Sequence, residues 1–321
     1  MYFPFLYGKQ FELLAIRDFS TQVSPNYIFP IIEPVKNNFN SLKLACDALC
    51  SNRFKFVVII NPSCGDFAET SNLINRFLDE SYKTSPYCYK GLLVSQKTTF
   101  DEVCRVAQDS ESQYFLIHDA ISNQFSKILD FLKNENHNIV GHVFYRKNIP
   151  DIKISKLKKY HKKCPYFVCL QDGFNKMKNA DYPPEEFFSD QHIVYSDLFT
   201  GFSDYLIAGR EYSENGGPAF AVTIHLTFLD KSDDDIMRIF HFVSDSTESS
   251  KDPAGKFEEA LNKMMQKIQN PPNGVELNTL AIQEFKRLYA TRHYPGLGFL
   301  KKLSMLHHIQ ILNQYLQNED A

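Results

Sequence analysis

The chain has 321 residues, of which 43% are hydrophobic and 23% are charged, close to the averages of globular proteins. A chain of this length and composition can bury a substantial core, so extensive disorder is not expected. The 35 basic and 38 acidic residues give a net charge of -3, which excludes a general electrostatic surface for nucleic acid. Seven cysteines without a CxxC pair indicate reduced thiols rather than a disulfide framework.

The first ten residues, MYFPFLYGKQ, lack the basic and apolar regions of a secretory signal peptide. No stretch reaches the roughly 18 consecutive apolar residues that a membrane span needs. We therefore expect a cytoplasmic protein with no membrane partner.

Short apolar segments alternate with amphipathic segments along the first half of the chain. The apolar segments predict strands at 2–6, 28–34, 54–61, 91–96, 114–119, 139–145, 166–171 and 219–228. The amphipathic segments have apolar residues at i, i+3 and i+4, and they predict helices at 9–19, 40–50, 67–80, 100–108, 123–134 and 152–160. This alternation predicts an α/β fold, most simply a (β/α)8 barrel-like one, with an open doubly wound sheet as the alternative.

The alternation stops at residues 171–217, which are rich in turn-forming and aromatic residues, and we expect an irregular insertion there before the last strand. The segments AFAVTIHLTFLD and IMRIFHFVSDS then resemble two strands joined by an acidic turn. Helices are predicted at 256–269, 277–289 and 297–316. The expected organisation is a barrel-like domain at 1–250, with the insertion 171–217, and a helical extension packed on the barrel at 251–321.

Active sites of α/β barrels lie at the carboxyl ends of the strands, so polar residues that end apolar segments are candidates. Glu33, which follows IFPII, could act as a general base or bind a metal, although a helix-capping or salt-bridged carboxylate is the alternative. The full set of candidate catalytic residues is Glu33, Asn61, His118, Asp172 and His225.

Three sequence features that could belong to a functional site are weak signals by themselves. His118 and Asp119 are adjacent in a predicted strand, where neighbours point to opposite faces, so both cannot face the barrel mouth unless the strand has ended. A structural histidine with satisfied hydrogen bonds is the alternative for His118. The dipeptide Asp172-Gly173 could begin a phosphate-binding turn, for which a single glycine is little evidence. The lysine-rich segment 153–163 could contact phosphates or form one solvated face of a helix.

Segments at both ends of the chain resemble an uncharacterised bacterial family. They are MYFPFLYGKQFELLAIR at 1–17, IIEPVK at 31–36, GFSDY at 201–205, HFVSDS at 241–246 and YPGLGFLKKLSMLHHI at 294–309. That family is usually encoded beside a nuclease-like protein and is distantly similar to the Beta proteins of phages. The resemblance implies a barrel-like fold, a partner from a neighbouring gene and a role in genome conflict or phage defence, without a catalytic mechanism. It nominates as residues of interest Glu12, Arg17, Glu33, Asp204, Tyr205, His225, His241, Asp245 and Lys302.

Two functions of different classes remain open at this point. The first is a partner-binding or regulatory subunit of a two-gene system. The alternative is a metal-dependent hydrolase that acts on a phosphate-containing substrate. In this hydrolase, a divalent cation such as Mg²⁺ would be held by Glu33, Asn61 and Asp172, and His118 or His225 would transfer protons. The sequence does not decide whether the protein is an enzyme.

Overall fold

A computed structural model describes residues 1–67, 72–134, 137–195, 198–214, 217, 219–272, 275 and 277–319. Residues 68–71 of the predicted helix 67–80 lie outside the described residues, as do 196, 197, 215 and 216 of the predicted insertion and 273, 274, 276, 320 and 321 of the predicted extension. The described chain divides into two compact units. The first comprises residues 1–9, 24–171 and 194–204, and the second comprises residues 10–23, 172–193 and 205–321.

The described part of the first unit contains a parallel sheet of eight strands. In spatial order they are β1 (Phe5–Tyr7), β2 (Ile31–Glu33), β3 (Phe56–Ile59), β4 (Cys88–Val94), β5 (Tyr114–His118), β6 (Ile139–Tyr145), β7 (Tyr166–Leu170) and β9 (Gly201–Ser203). Helices of the same unit are α2 (Asn40–Ser51), α3 (Asn72–Tyr82), α4 (Phe100–Ala107), α5 (Phe125–Leu132) and α6 (Asp151–Tyr160). The elements α1 (Gln10–Phe19) and β8 (Glu185–Ser189) belong to the second unit.

The two ends of the eight-stranded sheet meet, so the sheet forms a nearly closed barrel. Tyr2 forms a parallel bridge with Phe202, and the Phe3 N–H donates to the Phe202 carbonyl at 2.8 Å. The Phe5 N–H donates to the Asp204 carbonyl at 2.9 Å. Because these bonds join the first and last strands, the predicted (β/α)8 barrel-like fold is confirmed, and the open sheet is not the observed fold.

Aromatic side chains fill the amino-terminal end of the barrel. The ring of Phe29 lies 5.0 Å from that of Phe3, 5.4 Å from that of Phe115 and 5.5 Å from that of Tyr166. Phe3 and Phe29 precede the neighbouring strands β1 and β2, whereas Phe115 on β5 and Tyr166 on β7 come from strands that adjoin neither of these nor each other, so the rings meet across the interior. Gly141 on β6 makes room for them, since a Cβ atom there would lie 2.2 Å from the Phe115 ring.

The opposite faces of β5, β6 and β7 pack against α4, α5 and α6. Leu116, Phe144 and Phe167 are buried there with apolar residues of the three helices. Helix α4 begins at a capping box, in which the Thr99 side chain accepts from the Glu102 N–H and the Glu102 carboxylate accepts from the Thr99 N–H. This apolar layer is continuous, as expected for parallel strands that are covered on both faces.

The strand predicted at 219–228 does not complete the barrel, and this prediction was wrong. Residues 223–230 form β10 (Thr223–Asp230), which pairs antiparallel with β11 (Ile236–Val243), and β11 pairs antiparallel with β8. The last barrel strand is β9, only three residues long, within the segment interpreted as irregular. The insertion before the last barrel strand is present, but it runs from β7 to β9.

Helices make up most of the rest of the second unit. They are α1, α8 (Pro253–Gln269), α9 (Leu280–Thr291) and α10 (Leu297–Glu319), and the short α7 (Gln191–Val194) lies where the two units divide. Lys302 on α10 forms a 2.6 Å ion pair with Asp18 on α1, which ties these two helices together. Among the described helices, none has the length and apolar character needed to cross a membrane.

Candidate functional site

Strand alternation places two carboxyl groups on the interior side of the barrel at its carboxyl end. Phe29 and Phe115 point into the barrel, and Glu33 and Asp119 each follow them by four residues. Alternate residues of a strand share a face, so both carboxylates continue the interior faces of their strands. This end of the barrel is where barrel enzymes bind their substrates.

The Glu33 carboxylate is held by one oxygen and leaves the other available. Oε1 accepts from the Ser63 N–H at 2.7 Å, from the Ser63 hydroxyl at 2.9 Å and from the Cys64 thiol at 3.7 Å. No described residue donates to Oε2, which is not fully enclosed by protein. The loop after β3 therefore fixes the orientation of Glu33 while one oxygen can reach a substrate or water.

The environment of Glu33 favours its protonated form. Burial raises the pKa of Glu33 above its ordinary value, the hydrogen bonds from Ser63 and Cys64 oppose that rise, and the charge of Asp119 adds to it. Burial and the Glu33 charge also raise the pKa of Cys64 to about 12, while the Lys9 ammonium acts in the opposite direction. Cys64 is therefore a hydrogen-bond donor rather than a thiolate nucleophile.

Asn61, a predicted metal ligand, contacts the neighbouring strand. Its amide nitrogen donates to the Leu93 carbonyl at 3.0 Å, and its amide oxygen accepts from the Leu93 N–H at 2.7 Å. The side chain thus continues the hydrogen-bond ladder between β3 and β4 beyond the last backbone pair. Both polar atoms of the amide have a structural partner.

His118 faces the helices rather than the barrel interior. Its Nε2 lies 3.0 Å from His142 Nδ1, and its ring stacks on Phe144 at 4.8 Å. Burial lowers the pKa of His118 to about 3, so the ring is neutral. The expectation that His118 and Asp119 point to opposite faces agrees with these contacts, and Asp119 is the residue on the side of Glu33.

Asp172 and His225 belong to the second unit. The Asp172 carboxylate accepts from the Phe174 N–H at 3.1 Å and from the Arg210 N–H at 2.8 Å. These bonds stabilise the turn, and a Cβ atom at Gly173 would lie 2.6 Å from the Phe188 carbonyl oxygen. The glycine therefore permits a close approach to β8.

His225 is the last member of a row of three polar side chains across the second sheet. His225 Nδ1 lies 2.7 Å from His241 Nδ1, and His241 Nε2 lies 3.2 Å from Glu186 Oε1. A carboxylate accepts only, so His241 donates through Nε2 and His225 donates through Nδ1. Burial, followed by His241 and Lys301, lowers the pKa of His225 well below its ordinary value. The row orients a neutral imidazole whose Nε2 carries a lone pair.

The residues nominated by the resemblance mostly join elements together. The Tyr2 hydroxyl donates to Asp204 Oδ1 at 2.6 Å in the first unit. In the second unit, Asp245 pairs with Lys263 at 2.6 Å, and Lys302 pairs with Asp18. Glu12 and Tyr205 are buried, whereas Arg17 is exposed.

Two further features lie away from Glu33. The lysine-rich segment 153–163 is helix α6 and its following turn, whose lysines are exposed or half-exposed. A pocket between α3 and the amino-terminal ends of β4 and β5 contains Lys90, which forms a 2.6 Å ion pair with Asp79. Residues at this end of a barrel usually serve stability rather than catalysis.

Sequence reasoning missed Ser63 and Cys64 and did not select Asp119. The alternation of Phe115, Ile117 and Asp119 was a usable signal for Asp119, since the buried aromatic residue identifies the interior face. The loop 61–66 gave no signal, because an orienting hydroxyl and thiol have no characteristic spacing from the carboxylate that they hold.

No protein-family model matches this chain, and neither a curated protein nor a solved structure matches it. The family resemblance and its two-gene setting therefore stay predictions. The geometry of the described residues carries the functional argument.

Proposed function

We propose that the barrel unit is a hydrolase that uses Glu33 as a general acid–base at the carboxyl end of the sheet. The observation that carries the proposal is the asymmetry of this carboxyl group, with Oε1 held by Ser63 and Cys64 and Oε2 available. A catalytic acid–base needs a fixed orientation and an accessible atom through which the proton moves.

The electrostatics of Glu33 support the same role. Burial raises its pKa, which brings proton exchange nearer to neutral pH, where general acid–base catalysis is most effective. Asp119 supplies a second carboxylate whose charge acts on Glu33. Two carboxyl groups with different environments are the usual basis for separate acid and base roles.

A phosphate-containing substrate is the class that we favour. The charge of the Lys9 ammonium lowers the pKa of Cys64, whose thiol donates to Glu33. Lys9 therefore lies close enough to Glu33 to attract an anion to this end of the barrel. Asn61 is left out of the proposed site because Leu93 binds both polar atoms of its amide. Hydrolysis with and without Mg²⁺ tests whether the reaction requires a divalent cation.

The proposal is tested by hydrolysis of a p-nitrophenyl phosphate monoester and diester, with and without Mg²⁺. We expect turnover by the unchanged chain and a loss of about 100-fold or more in Glu33→Gln, the usual contribution of one acid–base group. The control is Glu258→Gln, which changes an exposed carboxylate on α8. Undiminished turnover in Glu33→Gln, or no turnover of either phosphate compound, would contradict the proposal.

Partner binding is the second candidate, favoured by an exposed aromatic residue on an outer strand. In the described three-stranded sheet β8 is an outer strand, and Phe187 on β8 is 51% exposed. An outer strand with an exposed aromatic side chain is a common site for adding a partner strand. The partner would be the product of the neighbouring gene that the resemblance implies.

Coexpression with the neighbouring gene's product tests this second candidate. We expect copurification of the two chains and its loss in Phe187→Asp, because a charge replaces the apolar contact. The matched control is Leu280→Asp, at a position on α9 that is 49% exposed. Failure of the unchanged chain to copurify with that product would remove the candidate.

A further inference from the structure

Three side chains with metal-ligating atoms lie together in the apolar layer between the barrel sheet and its helices. His142 is on β6, His161 directly follows α6, and Cys164 is in the turn before β7. One ligand atom of each residue lies within 4.8 Å of those of the other two. The three residues are buried, with exposed fractions of 0%, 4% and 8%.

We propose that this cluster is a Zn²⁺ site that stabilises the barrel, with His142 Nε2, His161 Nδ1 and Cys164 Sγ as ligands. Imidazole nitrogen and thiolate sulfur are the donors that Zn²⁺ prefers in proteins. The site lies on the helix side of the sheet, whereas Glu33 is on the interior side, so its role is independent of the proposed hydrolysis.

The spacing of the two imidazoles suits an ion between them. His142 Nε2 and His161 Nδ1 are 3.0 Å apart. Tetrahedral coordination with Zn–N bonds of about 2.0–2.1 Å needs about 3.3 Å between the nitrogens, so the pair would open by about 0.3 Å. The ring of His137 lies 4.5 Å from that of His161 and places a further imidazole beside the site for the fourth position.

His118 is placed to accept the hydrogen bond that a zinc-binding histidine normally donates from its other ring nitrogen. Its Nε2 is 3.0 Å from His142 Nδ1, the nitrogen that faces away from the proposed ion. If His142 donates through Nδ1, its Nε2 carries the lone pair that a metal requires. His118, which the sequence suggested as a catalytic residue, is therefore a positioning residue for the ligand His142.

The chain around the site brings the ligands together through local backbone bonds. The His161 N–H donates to the Leu157 carbonyl at 2.7 Å, and the Cys164 N–H donates to the His161 carbonyl at 3.2 Å. This turn returns Cys164 toward the end of α6. On binding, the Cys164 thiol would release its proton to solvent and its sulfur would bond to Zn²⁺, tying the turn after α6 to β6.

The first test is the metal content and spectrum of the full chain purified without a metal-affinity tag. We expect close to one Zn²⁺ per chain and, after exchange with Co²⁺, a thiolate-to-cobalt charge-transfer band. X-ray absorption of the zinc-loaded chain should show one sulfur among nitrogen neighbours. A folded chain that retains no Zn²⁺ in dialysis, or a cobalt spectrum without the thiolate band, would overturn the proposal.

Variants then locate the site. We expect Cys164→Ser and His161→Gln to lose the ion and the thiolate band, whereas Cys46→Ser, at another buried cysteine of the same unit, keeps both. Circular dichroism checks that each variant is folded, and the spectra of the unchanged chain decide the matter if a variant does not fold. His118→Phe should weaken Zn²⁺ binding by about 10-fold or more, as loss of an outer hydrogen bond does. Retention of one Zn²⁺ per chain in folded Cys164→Ser and His161→Gln would rule out these ligands.

Discussion

The Tyr2 hydroxyl donates a 2.6 Å hydrogen bond to Asp204 Oδ1 where the first and last strands of the barrel meet. Both residues are buried, with exposed fractions of 0% and 4%. Burial, and then the Asp204 charge, raises the pKa of Tyr2 well above its ordinary value, so the phenol keeps its proton and remains a donor. The pair fastens the closure of the barrel with a charge-assisted bond.

Removal of this hydroxyl should weaken the closed barrel. Tyr2→Phe leaves the buried Asp204 carboxylate without one of its donors, and we expect a loss of about 1–3 kcal/mol in the free energy of unfolding. Urea denaturation followed by circular dichroism measures it. The control, Tyr289→Phe on the exposed face of α9, should stay within about 0.5 kcal/mol of the unchanged chain. Equal midpoints for Tyr2→Phe and the control would show that the bond contributes nothing.

Glu33 should make the stability of the chain depend on pH. Its pKa is raised above the ordinary 4.5, mainly by burial, so the folded chain binds this proton more tightly than the unfolded chain does. The resulting stabilisation is complete below the unfolded pKa and is lost as pH rises through the folded pKa.

Glu33→Gln removes this titration and keeps an oxygen that accepts from Ser63. The difference in melting temperature, variant minus unchanged chain, should therefore increase as the pH rises from about 4.5 through the folded pKa of Glu33, and then level off. Thermal unfolding across this range measures it, and Glu258→Gln should show no such trend. A difference that stays constant with pH would mean that Glu33 titrates as an exposed carboxylate does.

The strand prediction succeeded where burial on both faces leaves a continuous apolar segment, as in Phe56–Ile59, and where an amphipathic helix follows. It failed at Gly201–Ser203, which has only three residues. This strand is stabilised by hydrogen bonding to β7 on one side and to the segment at Tyr2 on the other, so it does not need a continuous apolar sequence. The alternating TIHLTFLD had the stronger local signal and belongs to a different sheet.

Candidate site residues were harder to interpret than strands. Glu33 was selected because it ends an apolar segment, but Asn61 was selected on the same ground and binds the backbone of Leu93. The contact between His118 and His142 joins residues 24 positions apart, and His161 lies a further 19 along the chain. Neither spacing is a sequence signature, since the register of β5 and β6 brings His118 to His142 and the end of α6 brings His161 to them.

Asn61 should act through the strand ladder rather than through a metal. Asn61→Asp replaces the amide N–H₂ that donates to the Leu93 carbonyl by an oxygen that cannot donate. We expect a loss of about 1–3 kcal/mol in unfolding free energy, with no recovery on addition of Mg²⁺. The control is Asn134→Asp, an exposed position after α5. A rise in melting temperature with Mg²⁺ in Asn61→Asp would instead support the metal-ligand hypothesis.

Loss of the Glu186 carboxylate should change the pKa of His241, its neighbour in the row Glu186–His241–His225. Burial lowers the pKa of His241, while Glu186 raises it by charge and by accepting its hydrogen bond. Glu186→Gln removes the charge, so the pKa of His241 should fall further, as followed by NMR titration of the histidine ring protons. Glu185→Gln, which changes the neighbouring carboxylate paired with Arg238, is the control. An unchanged titration of His241 in Glu186→Gln would show that the two groups are not coupled in solution.

Gly141 should tolerate no side chain, because the barrel interior is already filled at that level. A Cβ atom at this position would lie 2.2 and 2.3 Å from two carbons of the Phe115 ring, which stacks on Tyr166 at 5.5 Å. The ring cannot retreat without disturbing the aromatic side chains across the barrel, and overpacking of this kind costs about 1–3 kcal/mol. Gly141→Ala should therefore lower the urea midpoint, whereas Gly217→Ala, which would meet no described atom within 4 Å, should not. A midpoint for Gly141→Ala equal to that of the control would mean that the interior is looser than these contacts indicate.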